Sequence, residues 1–109
     1  MVKLLKIIPS DVKGKKYSAY FLLDNKKEKK VNFGAKTYRD YTLMSSKSSK
    51  FYEKDKKKRD AVKASYRSRH AKDNLSDPTS AGALSYYVLW NKPTLGGSIA
   101  HFKNKFKLN

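Results

Sequence analysis

The feature that most constrains this chain is its charge. Lysine and arginine total 26 against nine aspartates and glutamates, a formal net charge of +17 over 109 residues. A chain that repels itself this strongly stays compact only if enough apolar surface leaves water, and at this length that means one modest core, not two. The apolar material is present: eight Tyr, five Phe and one Trp make 13% of the residues aromatic, where a solvated basic tail would be poor in them. The excess of positive charge is not a tail. Residues 1–40 and 41–75 each carry 11 basic and four acidic groups, whereas residues 76–109 carry four and one. The last third, which also holds the longest apolar runs, reads as core, with the basic surface supplied from upstream.

Of the basic residues 22 are Lys and four are Arg. A compositional bias toward Lys accounts for Lys in place of Arg, but not for acids failing to keep pace, so the excess points to a polyanionic partner. The absence of cysteine excludes disulfides, thiolate metal sites and cysteine nucleophiles. No stretch approaches the roughly 20 apolar residues of a membrane span, and Met1–Pro9, with its broken apolar run, makes a poor signal peptide. No membrane role is expected.

Hydrophobic periodicity predicts an α+β domain, a three-stranded antiparallel meander packed with two or three helices. Residues 2–8 are β-prone and end at Pro9, and Asp11–Gly14 reads as a turn. In the next strand Tyr17, Ala19, Phe21 and Leu23 share one face and Ser18, Tyr20 and Leu22 the other. A hairpin tip at Asp24–Lys27 leads to Lys29–Phe33, with Val31 and Phe33 inward, closed by Gly34. Residues 1–34 are thus the meander and residues 35–50, with their serine cluster at 45–49, a loop. Residues 51–72 predict a charged helix, Val62 and Tyr66 sharing a face four residues apart. Residues 78–107 form a helical C-terminal part. It has Asp77 or Thr79 as first N-cap, an apolar segment from Ala81 to Trp90, and a last helix capped by Thr94 with a stripe of Leu95, Ile99, Phe102 and Phe106.

The Lys56-Lys-Lys-Arg59 run could be a phosphate-contacting helix face, a nuclear-localisation patch or a solvated surface, and charge runs are usually the last. Lys63, Arg67, Arg69 and His70 follow on the same predicted helix and extend the basic groups over roughly 20 Å, a span of several backbone phosphates. Lys29, Lys30 and Arg39 complete the candidate binding set. Lys is a point-charge donor whereas Arg presents a planar fork, so this composition favours contact with the sugar–phosphate backbone over reading of base edges. Tyr17, Tyr20, Tyr38, Tyr41 and Tyr66 lie among the basic residues and could stack on bases, although packing in or around the core is the commoner use of tyrosine. His70 and His101, without cysteine, make no zinc-ligand spacing. No nucleophile elbow, phosphate loop or metalloprotease motif occurs. A cryptic nuclease would have to draw on Asp40, Glu53, Asp55 or His70, but carboxylates in helical surface contexts are far more often ion-pair partners. The chain is therefore expected to be no enzyme, with no catalytic residue, metal, cofactor or small-molecule substrate.

Three segments resemble, in combination, a family of small, basic, uncharacterised proteins encoded by nucleocytoplasmic large DNA viruses. They are Val31-Asn-Phe-Gly-Ala-Lys-Thr-Tyr-Arg-Asp-Tyr-Thr42, Tyr66-Arg-Ser-Arg-His70, and Ala81-Gly-Ala-Leu-Ser-Tyr-Tyr-Val-Leu-Trp-Asn-Lys-Pro-Thr-Leu95 with Ser98-Ile99. The likeness spans about residues 30–106, excludes Ser45–Lys58, and is broken at Gly96-Gly97, where longer polar residues are expected. It brings no site residues with it; it implies a viral origin and a virion or genome-associated role, with passage through host cytoplasm or nucleus. Taken together, the expected partner is nucleic acid, DNA ahead of RNA. A minor structural protein of the virion shell, binding acidic capsid proteins, is the alternative. The shared Arg-His element is either a phosphate site or a structural cap on the Trp90 turn.

Overall fold

Alternation of inward and outward side chains builds the expected meander. In the computed structural model, which describes residues 2–108, strands β1 (Lys3–Pro9), β2 (Lys15–Leu22) and β3 (Glu28–Ala35) form an antiparallel sheet with β2 at its centre. Tyr17 faces Phe33 across the β2–β3 ladder, and Ala19 lies between Ile7 and Val31. With Phe21, which is opposite Leu4, these residues make the inner face, and Ala19, Phe21 and Phe33 are fully buried. A bulge between Leu4 and Lys6 shifts the register of β1 and leaves Leu5 exposed on the edge. On the outer face Ser18 Oγ lies 2.6 Å from Asn32 Oδ1 and 2.9 Å from Ser10 Oγ. Lys6 and Lys30 stand over the Tyr20 ring beside them, at 4.8 and 5.8 Å from its centroid.

The second hairpin closes at Asp24–Lys27 as expected, with the Leu23 N–H donating to the Lys27 carbonyl at 2.8 Å. At the end of β3, Gly34 adopts φ +77°, and a Cβ there would lie 2.9 Å from Leu89 Cδ1 and 3.0 Å from Lys16 Cβ. Only glycine lets the strand turn this way and lets the helical layer approach it so closely.

The helical boundaries depart from expectation in three places, each for a local hydrogen-bonding reason. Residues 35–50 are not all loop: α1 (Tyr41–Met44) is a single turn held by Asp40, whose Oδ1 accepts from Leu43 N–H at 2.9 Å and Thr42 Oγ1 at 2.6 Å. The basic helix α2 runs Lys56–Arg69 rather than 51–72, because Asp55 caps it by accepting from Lys57 N–H at 2.9 Å. In the C-terminal part the N-cap of α3 (Ala81–Leu84) is Ser80, whose Oγ accepts from Ala83 N–H. Asp77 instead accepts from the amide and hydroxyl of Thr79. Helix α3 widens into a π-helical turn, Ser85–Leu89, before α4 (Leu95–Phe106) starts at its expected cap, Thr94. The stripe on α4 meets the core as its spacing requires: Phe102 is fully buried, and Leu95, Ile99 and Phe106 pack around it. Phe21 and Phe33 of the sheet meet Leu84, Val88, Leu89, Phe102 and Leu108 in one cluster, so the fold is α+β around a single core.

Candidate nucleic-acid interface

Helix α2 has no fully buried residue; Val62 and Tyr66 dock it on the core and leave its other faces to charge. The cations do not form one continuous stripe, a correction to the track read from the sequence. Lys56, Lys63 and Arg67 line a shallow groove with Tyr41 and Asp60, whereas Arg69 and His70 line a cleft on the other flank.

The fate of each candidate differs. Lys57 and Lys58 are exposed, and their ammonium groups have no partner among the described residues. Lys56 pairs with Asp60 at 2.6 Å, a contact that raises the lysine above its ordinary value and, with the Tyr41 hydroxyl, lowers the carboxyl. Lys63 stands 4.8 Å from the Tyr41 ring centroid, and partial burial, with Arg67 and Lys92 nearby, lowers its ammonium. Arg59 turns inward and donates from Nη1 to the Glu53 carbonyl at 2.6 Å. Arg67 donates to the Trp90 carbonyl at 2.9 Å and Asn91 Oδ1 at 3.2 Å, with its guanidinium carbon 4.1 Å from the Tyr86 ring centroid. Lys29 reaches Thr79 Oγ1 at 3.1 Å, and Lys30 pairs with the exposed Asp11 at 2.9 Å. Arg39 is exposed without a partner among the described residues, and Arg69 makes one long contact, 3.4 Å, to the Ser65 carbonyl. The Arg-His element therefore divides: Arg67 caps the Trp90 turn structurally, while Arg69 and His70 face the cleft.

That cleft, about 610 Å³, opens between the end of β3 and the C-terminal half of α2. Tyr38 and Arg39, on the segment that follows β3, line it together with Arg69 and His70 at the end of α2 and with Tyr66 and Leu89. Lys16 ties the segment after β3 to the sheet, its Nζ donating to the Tyr38 carbonyl at 2.8 Å and pairing with buried Asp40 at 2.5 Å. Sequence reasoning missed Lys16, whose partners lie more than 20 positions away with no local signal. Of the tyrosines considered as base platforms, Tyr41 is buried and Tyr17, Tyr20 and Tyr66 are partly covered, whereas Tyr38 is 71% exposed.

The side chains a nuclease would use make contacts within the fold. Asp40 and Asp55 are N-caps, Glu53 accepts from Asp55 N–H at 3.1 Å, and His70 Nδ1 lies 2.8 Å from Asp73 Oδ2. His101 Nδ1 lies 2.9 Å from Asn91 Nδ2. Among the described residues no group of three His, Asp or Glu side chains is arranged to hold a metal ion, and no helix is long and apolar enough to cross a membrane.

With this geometry in hand, similarity to known proteins is narrow. Residues 5–52 match the model of a family of unknown function, DUF5754. The match takes in 48 of the 109 residues, from β1 through α1, and so includes Lys16, Tyr38 and Arg39 but none of α2. No curated protein and no solved structure matches the chain.

Proposed function

We propose that this protein is a non-enzymatic nucleic-acid-binding protein that grips the phosphate backbone without regard to sequence, DNA ahead of RNA. In the virion setting that the viral resemblance implies, it packages or condenses a genome. The observation that carries this reading is the shortage of internal partners for its cations. Among the described residues, Lys16, Lys30 and Lys56 are the lysines that reach a described carboxylate, out of 22 in the chain. Such a surface gains free energy by releasing the counterions of a polyanion. Lys57 and Lys58, exposed and without a partner among the described residues, are the sequence-selected groups best placed to do this. The test is fluorescence anisotropy with unrelated duplexes across a salt series. With about six phosphate contacts, affinity falls by roughly 10³-fold or more between about 50 and about 200 mM salt, and Lys57→Glu with Lys58→Glu flattens the slope. An affinity indifferent to salt overturns the proposal.

A second reading, a capsid-associated protein bound to acidic protein surfaces, is favoured by one observation. Leu5, Ile8 and Val12 are exposed together along the edge strand β1 and its turn, apolar side chains suited to a protein contact. Equal binding of an acidic polypeptide and of DNA in the same titration favours this reading over the first.

A further inference from the structure

In a chain that uses lysine almost everywhere, the positions of its four arginines are informative. Arg59 and Arg67 are committed to backbone carbonyls inside the protein. Arg39 and Arg69 both line the cleft, come from different parts of the chain, and meet no carboxylate among the described residues. Two unpaired planar forks at one cavity suit a phosphate, which arginine engages bidentately and lysine does not.

The same cavity offers aromatic surface. Tyr66 stacks on His70 at a centroid distance of 4.2 Å and on Trp90 at 4.5 Å, with interplanar angles of 27° and 11°. Two rings that close and that parallel must occupy opposite faces of Tyr66, so Trp90, Tyr66 and His70 form a column running outward from the core. His70, 38% exposed, is its outer member and lines the cleft, as does the exposed Tyr38. The cavity volume falls within the range of small-molecule sites, about 300–1,000 Å³.

From this juxtaposition we infer that the cleft takes one unstacked nucleotide, its base against the His70 end of the aromatic column and Tyr38, its phosphate between Arg39 and Arg69. A duplex keeps its bases stacked and cannot present one; a single strand can. The inference rests on the nucleic-acid reading and adds to it a preference for single strands, located at residues separate from the lysines of the first turn of α2.

The experiment compares a single-stranded oligothymidylate with a duplex of equal length, by anisotropy at fixed salt, and follows thymidine 5′-monophosphate by NMR at the ring protons of Tyr38 and His70. The variants are Tyr38→Ala and Arg39→Gln, both exposed and outside the core, Arg69→Gln, and the double change Lys57→Gln with Lys58→Gln. Each cleft variant is expected to weaken the single strand about tenfold while changing the duplex little, since base–aromatic stacking and an arginine–phosphate pair are each of that order. The lysine variant weakens both alike. The mononucleotide should give saturable shifts at Tyr38 and His70 that Arg39→Gln abolishes. Cleft variants that weaken both strand types equally, or neither, overturn the inference while leaving the phosphate-backbone reading intact. Saturable mononucleotide shifts without polymer affinity support the cleft and overturn the packaging role instead.

Discussion

Arg67 Nη1 donates to the carbonyl oxygen of Trp90 at 2.9 Å, joining the last turn of α2 to the end of the π-helical turn 23 residues further on. The same guanidinium lies over the Tyr86 ring. A charged donor contributes about 1.5–3 kcal/mol and a partly desolvated cation–π contact about 0.5–2. Arg67→Ala should therefore lower stability by about 2–4 kcal/mol, read as a shift of the urea midpoint at unchanged slope. Arg67→Lys should recover less than half of the loss, since lysine has no fork to hold both groups at once. A midpoint unmoved by Arg67→Ala would show that the Trp90 turn holds itself.

Two glycines with nearly the same backbone angle should respond very differently to alanine. Gly14 (φ +82°) has open space where a Cβ would go, so Gly14→Ala costs the left-handed strain alone, about 1–2 kcal/mol. Gly34→Ala adds to that strain a collision with Leu89 and Lys16, for about 2–5 kcal/mol in all. Thermal denaturation of the two variants side by side checks the difference; equal losses would mean that Leu89 moves aside freely.

Alkaline pH should unfold the protein through its covered phenols. Burial raises Tyr17, Tyr41 and Tyr66 above their ordinary value of 10.0, with Asp40, Asp60 and Asp73 respectively adding to the effect. A raised folded value means that the unfolded chain releases these protons first, so the stability present below pH 10 is lost as pH rises beyond it. Lys30 and Lys56, raised by their aspartates, act in the same direction, and Lys63, lowered by burial, opposes them. Tyr41→Phe with Tyr66→Phe should flatten the fall in stability above pH 10, followed by denaturant midpoints together with tyrosinate absorbance. An unaltered fall would assign it to the lysines.

Much of the scaffold was legible because its signals are local and periodic. Ala19 and Phe21 alternate with Ser18 and Tyr20, and Leu95, Ile99, Phe102 and Phe106 recur on one helical face, so water exclusion alone fixes their orientation. The start of α2 was harder, since Glu53 and Asp55 are both acids before a basic run, and the cap falls to whichever carboxylate reaches an amide at the right geometry. The one-turn helix α1 has too few residues to show a period and exists because Asp40 satisfies its amides while Lys16 neutralises Asp40. For the candidate site, the sequence identified the cations but not their employment. Arg67 and Arg69 are two residues apart, yet one is drawn inward by a carbonyl 23 positions distant and the other is left facing the cleft. That separation is a product of tertiary packing, and nothing within a helix turn of either residue announces it.

The scarcity of carboxylate partners for the lysines has a consequence for the protein on its own. Seventeen uncompensated charges on a 109-residue body push against the compact state, and dissolved ions within a Debye length of about 8 Å relieve that pressure. Added salt thus steadies the protein, while under the proposed function it loosens the grip on a polyanion. Mobile anions, and on that proposal bound phosphate, would be interchangeable supports for one fold, and the protein is at its least settled in dilute buffer.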